Sequence, residues 1–85
     1  MSTEITLDAR EMEPPQPFEQ ATEILRQLQP GQYLRMLHRR APYPLFEFGQ
    51  AMGLACEVLE GSSAPYEIIF YFPTDEQTLQ QDGVL

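Results

Sequence analysis

Three prolines within four residues, Pro14, Pro15 and Pro17, limit what this chain can fold into more than any other stretch. A proline donates no backbone hydrogen bond and pushes the residue before it into extended geometry, so neither a strand nor a helix continues through Pro14-Pro15. Before them, Ile5 and Leu7 alternate with Glu4, Thr6 and Asp8, the period of a strand with one buried face. After them, Pro17 suits a first helical turn, where its missing N–H would have had no partner. Phe18, Ala21, Leu25 and Leu28, with Ile24 beside them, then form one apolar helical stripe, and Gln29-Pro30-Gly31 stops it. The prolines therefore sit at a strand-to-helix junction.

The rest of the chain repeats that alternation. Residues 32–38 read as a second strand, 39–44 as a proline-bearing turn, and 45–53 as a short helix with Leu45, Phe48 and Met52 on one stripe. Residues 54–60 and 66–72 read as two further strands, joined by a turn at 61–65 that suggests an antiparallel hairpin. Right-handed β-α-β crossovers place both helices on the same face. The expected fold is thus an α/β two-layer sandwich of order βαβαββ, a four-stranded mixed sheet with two helices on one face. Residues 1–73 form the single expected domain. Residues 74–85 are polar and acidic, with too little apolar content to fold alone, and read as a flexible tail.

Composition removes whole classes of function. Thirteen acids against five bases leave a formal charge of -8, which argues against nucleic acid held through its phosphates. All five bases are arginines, so Schiff-base chemistry on a lysine and a lysine-bearing phosphate loop are excluded. One cysteine and one histidine permit no internal disulfide and no ordinary structural zinc site, and that usage fits a reducing compartment. No stretch reaches the ~20 apolar residues of a membrane span, and the start lacks a secretory pattern. The expectation is a cytoplasmic protein with no membrane or nucleic-acid partner, no metal and no cofactor.

The stretch Leu7-Asp8-Ala9-Arg10-Glu11-Met12-Glu13-Pro14-Pro15-Gln16-Pro17 resembles the signature L-D-x-x-G-L-x-C-P-x-P of the TusA/SirA-like sulfur carriers. Leu7, Asp8, Pro15 and Pro17 fit, Met12 stands for leucine, and Glu11 stands for glycine. Pro14 occupies the position of the cysteine that accepts sulfur in that family. The resemblance implies the same fold over residues 4–72 and membership of an uncharacterised sister family. A ring that bears no thiol implies that the carrier chemistry is absent.

Three groups of residues are candidates for function. Parallel pairing of the first two strands brings the turns that follow them to one sheet edge. That rim holds Arg10, Pro14, Pro15 and Pro17 from the first turn and His38, Arg39, Arg40, Pro42 and Pro44 from the second. Helix-start N–H groups and arginines there suit a small anion, while Asp8, Glu11 and Glu13 could instead neutralise the arginines. The second group is the sheet face turned away from the helices, where Tyr33, Leu37, Leu59, Ile69 and Tyr71 suggest contact with another chain, including a weak homodimer. The third is Cys56, expected to be packed in its strand with Leu54 and Val58 and therefore inert. The leading expectation is a non-catalytic binding or interaction module with a protein partner. The alternatives are an accessory domain holding a small anionic or redox-related ligand at the rim, and a degenerate sulfur-transfer protein using Cys56.

Overall fold

The computed structural model describes residues 2–59 and 64–85. The elements run β1 (Thr3–Asp8), α1 (Gln16–Gln27), β2 (Gln32–His38), α2 (Tyr43–Ala51), β3 (Ala55–Leu59), β4 (Tyr66–Tyr71), a 3-10 turn (Pro73–Asp75) and α3 (Glu76–Gln81). The sheet order is β1-β2-β4-β3, with β1 parallel to β2 and β4 antiparallel to both its neighbours. This is the two-layer βαβαββ sandwich expected from the sequence, with α1 and α2 on one face. The turn expected at 61–65 lies partly outside the described residues.

Strand parity decides what each face holds. Ile5 and Leu7 of β1, Leu34 and Met36 of β2, and Ile68 and Phe70 of β4 pair across the sheet and meet Ala21, Leu25 and Leu28 from the first helical segment and Leu45 from α2. Leu34, Met36, Leu45, Ile68 and Phe70 are fully buried. Gly49 brings α2 close to this layer: a Cβ there would sit 3.0 Å from the Phe70 ring. The residue that weakens α2 by propensity is therefore the one that lets it approach β4.

The opposite face departs from expectation. Tyr33, Ile69 and Tyr71 were expected on an open surface, yet each is buried. The cover is the segment expected to be a flexible tail. Leu79 of α3 is almost fully buried against Tyr33, Ile69 and Tyr71, and Val84 and Leu85 pack beside it. Polar contacts fix the segment at several points. The Gly31 N–H donates to the Asp75 carboxylate at 2.8 Å, the Tyr71 hydroxyl to Glu76 at 3.4 Å, and the Ser2 hydroxyl to Asp82 at 3.1 Å. Segment composition failed as a guide because a six-residue helix needs only one large apolar side chain when a preformed aromatic surface receives it. Leu37 and Leu59 on this face are half-buried. Beside them Arg35 binds Glu4 at 2.7 Å and Glu67 at 2.9 Å, so the uncovered part of the face is ionic.

Cys56 also departs from expectation. Leu54 is buried, but Cys56 is exposed and Val58 is 48% exposed. The reason is topological: β3 is an edge strand, and its helix-side residues beyond Leu54 are left uncovered.

Candidate functional site

Parallel pairing of β1 and β2 sets Asp8 beside Leu37, so both chains leave the sheet at one edge and each turns into a helix there. The first turn reaches α1 through Pro14 and Pro15; the second reaches α2 through Pro42, with Pro44 inside its first helical turn. Between these turns lies a cavity of about 180 Å³. Its walls are Pro14, Pro15, Pro17, Pro42 and Pro44 with Phe18 and Ala41; Met36 and Leu45 reach it from the core, and His38 and Arg40 are its polar members. Met36 and His38 arrive together because they share the helix-side face of β2.

Seven of the nine rim residues named from the sequence, Pro14, Pro15, Pro17, His38, Arg40, Pro42 and Pro44, thus surround a single cavity. Arg10 and Arg39 do not line it. Arg10 is turned back on its own strand, where its Nε and one terminal nitrogen reach the two Asp8 carboxylate oxygens at 2.9 and 2.7 Å. That guanidinium, followed by the Arg10 backbone N–H, holds the Asp8 carboxyl down at about 2. Glu11 and Glu13 make no ion pair with Arg39 or Arg40, and among the described residues Arg40 makes none. Among the described residues, charge neutralisation at the rim is therefore confined to Arg10.

Sequence reasoning missed how apolar this site is. A helix start offers N–H groups to an anion only while they are unspent. Pro17 and Pro44 have none, Gln16 and Glu19 donate to Glu13 and Pro15, and Tyr43, Leu45 and Phe46 donate to Ala41 and Pro42. Proline and short turns consume most of the donors, so polarity in the cavity comes mainly from side chains. In the sequence Phe18 and Leu45 show only as members of helical stripes, and Met36 only as part of a strand. The signal that could have found them is proline spacing: a Pro-Pro-X-Pro and an X-Pro-X-Pro segment following parallel strands bring apolar rings to one sheet edge.

His38 is held in a defined state. Its Nδ1 accepts the Arg39 backbone N–H at 2.8 Å, which leaves Nε2 to carry the proton of the neutral ring. Burial, with the Arg39 and Arg40 guanidiniums nearby, pushes its pKa below the ordinary imidazole value. The folded form then binds fewer protons than the unfolded chain, so stability falls as pH drops through about 6.5, the unfolded value. The imidazole Cε1 proton, readily assigned because the chain has one histidine, is expected to titrate below that value by NMR. His38→Gln is expected to remove the corresponding slope in stability, whereas a midpoint at or above the ordinary value would contradict this environment.

Cys56 lies elsewhere, in a second and larger depression of about 400 Å³ with Phe46, Gln50, Leu54, Ala55 and Val58. Although the residue is exposed, desolvation of its thiol, with the Glu57 carboxylate adding to it, pushes the pKa up to about 11. Iodoacetamide is expected to modify it slowly at neutral pH, without denaturant, at a rate that climbs until the pH approaches that value. A rate that levels off near pH ~8.5, as for a free thiol, would contradict the shift. Among the described residues no cluster of three or more His, Cys, Asp or Glu side chains could hold a metal, and no helix is long and apolar enough to cross a membrane.

Comparison with curated proteins and with solved structures gives no match. A family model does match, over residues 6–71, which takes in both proline turns, the whole cavity and all but the first residues of β1. Since that match spans most of the chain, the protein belongs to the family described as Uncharacterized conserved protein (DUF2249).

Proposed function

We propose that this chain is a small cytoplasmic binding module without covalent chemistry of its own, whose ligand or partner group enters the proline-walled cavity between the starts of α1 and α2. The observation that carries the reading is the convergence of two turns, separated by more than twenty residues of sequence, on one apolar space of about 180 Å³ with a positive side chain at its edge. Proline rings make rigid walls, so little conformational entropy is lost when a ligand meets them. The βαβαββ order and the sequence around Pro14 speak for kinship with the TusA/SirA-like carriers, with the sulfur-bearing position converted into part of a cavity wall. The thiol that remains, Cys56, is poorly ionised at neutral pH and lines a different depression, which disfavours sulfur transfer. The Tyr33, Ile69 and Tyr71 face is already occupied by α3, which disfavours that face as the route to a partner or a homodimer.

The test is a screen of ring-sized compounds, charged and neutral, followed by amide and methyl NMR on the native chain. Perturbations are expected at Phe18, His38, Arg40 and Ala41. Ala41→Trp, which fills the space from its own wall, is expected to abolish them while leaving the circular dichroism of the fold in place. Perturbations centred on Val58 or Tyr71, or binding undiminished in the filled variant, would overturn the proposal.

A further inference from the structure

Resting on the cavity reading, we infer that the group this cavity takes is a single apolar ring, or a branched side chain of that size, carrying one carboxylate that lies against Arg40 and His38. Volume sets the apolar part. A closed cavity of about 150 Å³ lined by hydrocarbon holds a benzene-sized guest, and this one, open on one side, measures about 180 Å³, enough to seat one ring. The lining sets the chemistry of that part, since proline rings, Phe18, Met36 and Leu45 offer no hydrogen bonds to a polar guest.

Charge complementarity sets the other end. The molecule as a whole carries -8, so an anion is repelled from most of its surface. At this edge, however, Arg40 lines the cavity and is joined by no carboxylate among the described residues, with Arg39 next to it in the chain. His38 presents a second donor, because the Arg39 N–H occupies Nδ1 and the proton of the neutral ring sits on Nε2. Two side-chain donors of different strength at one edge of an apolar space match a carboxylate, which accepts on two oxygens. A phosphate is a poorer fit: its greater charge needs more donors than these, and most of the helix-start N–H groups are spent or replaced by proline. The same chemistry occurs in a free aromatic or branched acid and in the C-terminal residue of a peptide.

The test is calorimetric titration of the full chain with benzoate, benzamide, acetate, and an acetylated tripeptide ending in phenylalanine, with a free carboxylate or amidated. Benzoate is expected to bind at least about tenfold more tightly than benzamide or acetate, the difference expected from one charge-assisted hydrogen bond. Arg40→Gln should weaken benzoate binding far more than benzamide binding and so erase most of that advantage, which a variant that merely unfolds, losing both alike, would not do. If the free-ended tripeptide binds more tightly than benzoate and the amidated one does not, the guest is a chain terminus; if benzoate alone binds, it is a free acid. Benzamide binding as tightly as benzoate would overturn the carboxylate inference and leave the cavity standing as a binding site. Binding of no ring compound would overturn both.

Discussion

Phe70→Ala is expected to remove about 3–5 kcal/mol of stability, read as a large fall in the urea midpoint at unchanged slope. Phe70 is fully buried in β4, an inner strand, between Leu34 of β2 and Cys56 of β3. The Phe46 ring lies 6.4 Å from it, and Gly49 faces it from above. The expected loss stands at the upper end of that range because glycine has no side chain to collapse into the space. For a domain of this length, total stability is on the order of 4–13 kcal/mol, so the variant is expected to lose a large share of it. A loss below about 1 kcal/mol would mean that α2 does not pack on β4 as described.

Leu79→Asp is expected to release α3 from the sheet. Leucine to alanine at a site this buried already costs roughly 2–5 kcal/mol. Aspartate adds a carboxylate that would have to be desolvated beside Glu76, and the segment leaves instead. Its departure uncovers Tyr33, Ile69 and Tyr71 together, a patch with no neighbouring lysine to blunt it. Sedimentation velocity is expected to show self-association of this variant and a monomer for the parent chain. Circular dichroism should retain the α1, α2 and sheet signals, since the main core holds no residue of α3. A monomeric variant with unchanged stability would contradict the docking of this segment.

How far the sequence could be read depends on whether a feature was local. The strand periods around Leu7 and Leu34, the stripe through Ala21 and Leu25, and the stops at Gly31 and Gly53 are local, and they led to the right order of elements and to the helices' common face. Both glycines adopt positive φ, 87° and 82°, which other residues adopt reluctantly. Edge effects are not local. Cys56 carries the pattern of a buried strand residue, and only the position of β3 at the sheet margin exposes it. The role of Leu79 is likewise set by what receives it, Tyr33, Ile69 and Tyr71, none of them nearer than eight residues away in the chain. At the rim, residue types alone suggested an anion held by helix-start N–H groups. Which donors survive depends on the turns, where Pro42, Ala41, Pro15 and Glu13 carbonyls take up most of them. The proline positions were legible; the apolar space they enclose was not.

The account turns on what occupies the space beneath those prolines. Met36 contributes a fully buried side chain to that space, and a ¹³C-labelled methyl group on it reports any guest that enters. With benzoate added to the native chain, isotope-filtered NMR is expected to show nuclear Overhauser contacts from the ring protons to this methyl and to Phe18, and none to Val58 or Met52. Contacts to Val58 and Met52 with silence at Met36 would place binding at the margin of β3 and contradict the account.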